Sequence, residues 1–253
     1  MALWCRDCKQ ANVHLDETPK RVTIVLPFYE NHGFIQHQIA QWQTWPQNVR
    51  DHVEVIVVDD GSPVPLLLPE VRGIRVRQFR INVDVRWNWL AARNIGAHHA
   101  AGEWVLMTDM DHMVPSDTLY AAIYARLDPG VVYAFEREEH TGDVINPHSA
   151  SFLMTKAMFW EIGGYDETLS GHYGTDGEYR RRLARHAQIK ILPFALIRHE
   201  YVGDSSTTRY KRKQPQDAGV KALVAARSKG WRPRTLSFPY QEIHVEVPCH
   251  AHH

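Results

Sequence analysis

Short apolar runs alternate with stretches of helical spacing along the first four fifths of the chain. Val22-Thr23-Ile24-Val25-Leu26 reads as a buried strand, and Ile35, Ile39 and Trp42 then repeat at helical intervals until Pro46 closes the pattern. Val53 to Val58 predicts a second strand that stops at the turn Asp59-Asp60-Gly61-Ser62. Ile74 to Phe79 alternates apolar with polar residues, which predicts a third strand nearer a sheet edge. A helix is expected from about Trp87 to Ala101 with Gly102 as its left-handed cap, followed by a strand from Glu103 to Thr108 that runs into Asp109-Met110-Asp111. Beyond it come a helix around Leu119-Ile123-Leu127, strands near Val131–Phe135 and Ser151–Met154, and a helix from Asp176 with Tyr179, Leu183 and His186 on one face.

Strands alternating with helices predict an α/β fold with a mostly parallel, doubly wound sheet and helices on both faces. Ligands of such sheets bind outside the carboxyl ends of the strands. The polar clusters Glu30-Asn31, Asp59-Asp60 and Asp109/Asp111 all fall there. From about Tyr201 the pattern changes to a basic, Pro-containing stretch with Lys211-Arg212-Lys213 and Arg232-Pro233-Arg234. The expected division is therefore an N-terminal extension over residues 1–20, a main domain over 21–200 and a basic C-terminal tail or lid over 201–253. The main domain itself divides near residue 115.

Composition removes several function classes. The 253 residues carry 29 basic and 29 acidic side chains, so no global field attracts nucleic acid or an anionic membrane. No apolar run approaches the roughly 20 residues of a membrane-spanning helix, and Met1 to Arg6 has no hydrophobic signal segment. A cytoplasmic protein is the expectation, and three cysteines, which cannot all pair, agree with a reducing compartment. Cys5 and Cys8 have C-x-x-C spacing, half of a tetrahedral zinc site that Cys249 and His250 would complete; the alternative is two frayed termini. The first strand runs into Leu26-Pro27-Phe28-Tyr29-Glu30-Asn31 with no glycine-rich phosphate loop, against a dinucleotide enzyme or a sugar-phosphate nucleotidyltransferase.

Asp109 and Asp111 stand two apart, so a strand continuing through them would point both carboxylates to one side. Converging carboxylates repel unless a cation lies between them, and hard oxygen ligands suit Mg²⁺ or Mn²⁺. Acidic residues near the helix start Val114-Pro115-Ser116-Asp117 are the ordinary alternative. Asp59-Asp60 reads either as a solvated turn or as an acceptor for a base N–H or ribose hydroxyl. Arg93 reads either as a solvated helical arginine or as the partner of donor phosphates or an active-site carboxylate. Trp87, Trp89 and Trp104 read as core.

In order along the chain these segments resemble glycosyltransferase family 2 and its GT-A relatives, over roughly residues 22–200. The opening strand with Pro27 and Tyr29 is similar to the family's first turn, with Glu30 inserted. Val57 to Ser62, containing Asp59 and Asp60, is similar to its uridine-contacting segment. Ala92-Arg93-Asn94-Ile95-Gly96 is similar to the helix before the metal motif, and Asp109-Met110-Asp111 to the D-x-D itself. Ile162-Gly163-Gly164-Tyr165-Asp166-Glu167 resembles the acceptor-side motif, and Gly174-Thr175-Asp176-Gly177-Glu178 stands where relatives carry Gly-Glu-Asp, with Thr175 replacing the Glu.

The resemblance implies a metal-dependent hexosyltransferase that inverts configuration. UDP-sugar is the favoured donor and Asp176 the base toward an acceptor hydroxyl. Pro27, Tyr29, Glu30, Asp59, Asp60, Arg93 and Asp109 would contact the nucleotide sugar. Mn²⁺ or Mg²⁺ would be held by Asp109 and Asp111 with His199, or with His112 in a D-x-H reading. Gly164, Tyr165, Asp166 and Glu178 would face the acceptor. Thr175 to Glu178 also fits a T-x-x-E capping box, which gives Glu178 a helix-start role instead. The competing class is a nucleic-acid-binding protein, or a transferase acting on modified nucleic acid, using the basic tail; a degenerate sugar-nucleotide binder is a third reading.

Overall fold

A computed structural model describes residues 14–199 and 218–244. Ten strands form one sheet. Its parallel part contains β1 (Val22–Phe28), β2 (Val53–Asp59), β3 (Arg75–Ile81) and β4 (Trp104–Met107), side by side in the order β3-β2-β1-β4. Every residue of β2 is buried, as are all but one of β1, because helices cover both faces; that is why these strands read as unbroken apolar runs. The packing side of α1 (His32–Thr44) supplies Phe34, Ile35, Ile39 and Trp42 to one face, together with the one-turn α2 (Gln47–Arg50), which adds Val49, and α4 (Ser116–Tyr124). The other face is covered by α3 (Trp89–His99), where Gly96 lets the helix approach β1: a Cβ there would lie 2.3 Å from a Val25 methyl.

Beyond β4 the sheet is mixed rather than parallel. It continues through β8 (Phe152–Thr155), β6 (Val131–Glu139), β9 (Gln188–Arg198) and the two-residue β5 (His112–Met113), with β7 (Val144–Ile145) hairpinned on β6. Within this half only β6 and β9 run parallel. On one face of it α5 (Lys156–Glu161) and α6 (Asp176–His186) bury Phe159, Tyr179 and Leu183. The pattern over α6 is narrower than expected, since His186 is exposed.

Several boundaries differ from the sequence expectation for local reasons. Helix α3 begins at Trp89 because Trp87 adopts a left-handed φ of 57°. It ends at His99 with an extended Ala100, and Gly102 is not its cap. Gly102 is instead pressed against the first strand, where a Cβ would lie 2.8 Å from the Arg21 carbonyl oxygen. Strand β4 stops at Met107, two residues short of Asp109. Nor does β3 form the edge: β10 (Tyr240–Ile243) pairs antiparallel outside it.

Both expected extensions are stitched to the main body where they are described. Leu15 bridges Ala125, and the Arg126 N–H donates to the His14 carbonyl at 2.7 Å. Helix α7 (Ala218–Ala225) packs Val220 against the α6 face, and residues 227–238 run on toward β10. Lys211-Arg212-Lys213 and the candidate zinc residues Cys5, Cys8, Cys249 and His250 lie outside the described residues. Among the described residues no helix is long and apolar enough to cross a membrane.

Candidate active site

The adjacent carboxylates Asp59 and Asp60 at the end of β2 have opposite surroundings. Asp59 accepts from the backbone N–H groups of Ser62 (2.9 Å) and Leu66 (3.0 Å) and from Arg80 Nη1 (2.6 Å), with no exposed surface. It folds the loop after β2. Asp60 is also buried, yet its Oδ1 has no partner, and burial followed by the charges of Asp59 and Asp84 pushes its carboxyl well above the usual range. Of the pair, Asp60 is the one with hydrogen-bonding capacity left over. Nearby, the Tyr29 hydroxyl donates to Asp84 (3.1 Å), and Glu30, at φ 49°, gives its N–H to Ser62 Oγ (3.0 Å). Pro27 lies in β1 opposite Val58, with Gly61 turning the chain so closely that a Cβ would sit 2.2 Å from the Val83 carbonyl oxygen.

Arg93 occupies the centre and is fully buried. Its guanidinium donates to the Ala150 carbonyl (2.6 Å), to the Tyr165 hydroxyl (2.8 Å) and to Asp109. Trp89 and Tyr165 flank it at 4.7 and 5.5 Å. Of its two sequence readings, the carboxylate partner is the one the geometry contains. Burial raises the Asp109 carboxyl, but the charges of Arg93, His148 and His112 outweigh it and hold Asp109 below the usual range. Asp109 keeps 37% of its side-chain surface open.

Asp176 is the first residue of α6. Its carboxyl is raised, first by burial and then by the charge on Asp109, with Arg93 opposing. The helix start alone would lower it, so burial and Asp109 win. The expected capping box does not form. Thr175 makes no side-chain cap, its hydroxyl is buried without a partner, and the Glu178 carboxylate turns away to Arg182 (2.8 Å) and Arg227 (2.6 Å).

Because β4 has already ended, Asp109 and Asp111 do not share a strand face, and their carboxylates take different partners. Asp111 Oδ1 pairs with His112 Nδ1 at 2.6 Å, and Arg198 Nε approaches Oδ2 at 3.9 Å. His112 is buried with Nε2 unpartnered, stacked on His148 at 4.3 Å. The His199 N–H donates to the Asp111 carbonyl (2.9 Å), which brings that residue beside the motif. Its ring stacks between His37 (6.0 Å) and His140 (5.9 Å), and burial and those two rings lower its pKa. Among the described residues no three His, Cys, Asp or Glu side chains are arranged to hold a metal by themselves. A Mg²⁺-type ion does not require that: it is bound through one or two carboxylates plus substrate phosphates and water. Asp109 and Asp111, each with about a third of its side-chain surface open, fit such an ion.

The acceptor-side motif holds structure together more than it faces a cleft. Gly164 (φ 61°) turns beneath Asn94, whose amide donates to the Tyr165 carbonyl (2.8 Å) and to Glu167 (2.8 Å). Tyr165 is buried, stacked on Tyr179 at 3.9 Å. Asp166 accepts from Thr168, the Arg234 N–H and Arg227 Nη2 (2.6 Å).

Sequence reasoning did not single out His148, Asp84 or Arg227. His148 reaches the centre from the loop before β8, with Nε2 3.4 Å from Asp109. Burial first, then His112 and Arg93, press its pKa down to about 4. Only its place in Asn146-Pro147-His148, ahead of a short strand, hinted at a site loop.

A mixed α/β sheet with polar clusters at its carboxyl end and a D-x-D beyond β4 defines a GT-A-type protein. The chain belongs to glycosyl transferase family 2, whose family model matches residues 23–251. Among solved structures it is similar to TarS from S. aureus in complex with UDP-GlcNAc, at a TM-score of 0.58 and 16% identity over 74% of this chain and 61% of that one. It is also similar to the mannosyltransferase PcManGT from Pyrobaculum calidifontis in complex with GDP-Man and Mn²⁺, at 0.54 and 18% over 85% and 71%. GalNAc-T7 with UDP, GalNAc and Mn²⁺ matches at 0.56 and 17% over 77% and 48%. At such identities these likenesses establish the GT-A fold, and the chain spans about three fifths of the TarS chain it matches. No curated protein matches the sequence.

Proposed function

We propose that this chain is a metal-dependent glycosyltransferase that moves a hexose, with inversion, from a nucleotide-diphosphate sugar to an acceptor hydroxyl, with UDP-sugar the favoured donor. The carrying observation is the pair of buried Arg93 with Asp109 just beyond β4, whose charges act on the Asp176 carboxyl at the start of α6. Family membership supports the reaction class, and the nucleotide-sugar complexes of TarS and PcManGT support the donor class.

Asp60 accepts a nucleoside N–H or hydroxyl at its buried, unpartnered Oδ1. Arg93 fixes Asp109 in place, so that carboxylate costs little reorganisation during the reaction. Asp176 accepts the acceptor's proton as that oxygen bonds to the anomeric carbon; the carbon–phosphate-oxygen bond breaks and its electron pair leaves with the diphosphate. A raised pKa makes Asp176 a better proton acceptor than an ordinary carboxylate. Mn²⁺ or Mg²⁺, held by Asp109 and Asp111 with His199 assisting, would offset charge on the departing diphosphate.

The test is a panel of nucleotide sugars assayed for slow hydrolysis without acceptor, with Mn²⁺, with Mg²⁺ and with excess chelator. UDP-sugar hydrolysis that requires the ion is expected. Hydrolysis undiminished by chelator contradicts the metal assignment, and turnover of no nucleotide sugar contradicts the reaction class.

A further inference from the structure

A heavily bonded charged cluster outside the centre lies beneath α6. Asp166 has no exposed side-chain surface and Glu178 only 3%, and one guanidinium, Arg227, joins them with 2.6 Å contacts to each. Arg227 follows α7 directly and stacks on Trp231 at 3.5 Å. Arg182 binds the same Glu178 from within α6 and donates to the Ile162 carbonyl (2.9 Å), which ties the helix to the chain just before Gly163. The returning segment is fixed at two more points. Pro233 packs where a Gly163 Cβ would lie, at 2.8 Å, and Glu167 accepts from the N–H groups of Leu236 and Ser237, both at 2.7 Å.

This cluster bears on the centre through the start of α6. A helix N-terminus leaves its first N–H groups unsatisfied, and here no Thr175 side-chain cap fixes the first turn. Two residues beyond Asp176, Glu178 instead pins that turn to Arg182 and Arg227, with the flexible Gly177 between. The Glu178 carboxylate, two residues from Asp176, is thus held by a cation from a segment 49 residues further along the chain.

We propose that Arg227 is a positioning residue for the transfer step: by bridging Glu178 and Asp166 it sets the first turn of α6 and so aims Asp176 at the acceptor. The role rests on the transferase reading above. Arg227 touches no reacting group, so its removal acts on kcat and leaves the donor site intact. Misplacing a reacting group by about 1 Å costs up to roughly 10²-fold in rate.

The experiment measures kcat and donor KM for the most active nucleotide sugar in the parent, Arg227→Ala and Arg227→Lys, with melting temperature recorded for each. Assays run below the lowest melting point, and Arg227→Ala is also assayed with millimolar guanidinium chloride and, separately, ammonium chloride. The expected result is a kcat loss of about tenfold or more in Arg227→Ala with donor KM within about twofold, partial recovery with guanidinium but not ammonium, and an intermediate kcat in Arg227→Lys. A folded Arg227→Ala protein with parental kcat overturns the role, as does a kcat loss that guanidinium does not relieve and Arg227→Lys does not lessen. If Arg227→Ala does not fold, a folded Arg227→Lys protein decides: parental kcat overturns the role and a selective kcat loss supports it. An inactive parent overturns the transferase reading and this role with it, whereas an active parent with unaffected variants overturns this role alone.

Discussion

The cleft above β4 and the socket beneath α6 are both built on carboxylates, and they use them in opposite ways. In the socket, Asp166, Glu167 and Glu178 are buried and bonded to arginines or backbone N–H groups, so their charges are spent on holding residues 227–237 in place. In the cleft, Asp109 and Asp111 keep about a third of their side-chain surface open, and Asp60 is buried with an oxygen left unpartnered. The same contrast separates the neighbours Asp59 and Asp60. A buried carboxylate with a full set of donors stabilises the fold, whereas one left short of partners costs stability and is kept where a ligand completes it.

Substituting the two members of the β2 pair sharpens that contrast most strongly. Asp59→Asn leaves Arg80 and two backbone donors without their charged acceptor, and breaking a buried pair of this kind costs about 3–5 kcal/mol. It should lower the melting temperature sharply. Asp60→Asn removes a buried charge that Asp59 and Asp84 repel; it should leave the melting temperature equal or higher while raising donor KM about tenfold. Thermal melts and donor titrations on both proteins check this, and equal loss of stability in the two would erase the distinction.

A smaller effect follows from the pH dependence of stability. Asp176 has a raised folded-state pKa, so the folded protein binds that proton more tightly than the unfolded chain. Its ionised form destabilises the fold fully above the folded pKa, and that cost fades as pH falls from there to the unfolded value near 3.8. Asp176→Asn should therefore melt slightly higher than the parent at pH 7, with the gap closing toward pH 4. A variant that melts lower at pH 7 and converges on the parent only at high pH would reverse the sign.

Most of the parallel half was legible in the sequence because β1 and β2 are buried on both faces and leave unbroken apolar runs. The motif order likewise brought Arg93 and Asp109 forward, and they pair. Partner saturation was not legible, because the partners come from far along the chain: Arg227 lies 49 residues from Glu178 and 61 from Asp166, and Ser237 lies 70 from Glu167. Nothing local in Gly-Gly-Tyr-Asp-Glu distinguishes an acceptor contact from a docking point. The shared face of Asp109 and Asp111 assumed a strand that ends at Met107. Thr175 and Glu178 have capping-box spacing, yet two arginines outcompete the helix start for the Glu178 carboxylate.

Asp176 and Glu178, two residues apart on α6, test the central claim most directly when Asp176→Asn and Glu178→Gln are compared for kcat with the same nucleotide sugar and for melting temperature. The account predicts that Asp176→Asn keeps its fold and loses about 10²-fold or more in kcat, the scale of general-base catalysis. It predicts that Glu178→Gln melts lower, as a buried ion pair loses its charge, while the amide oxygen still accepts from the arginines and holds the kcat loss to no more than about tenfold. A near-parental rate in Asp176→Asn beside an inactive but stable Glu178→Gln would contradict it.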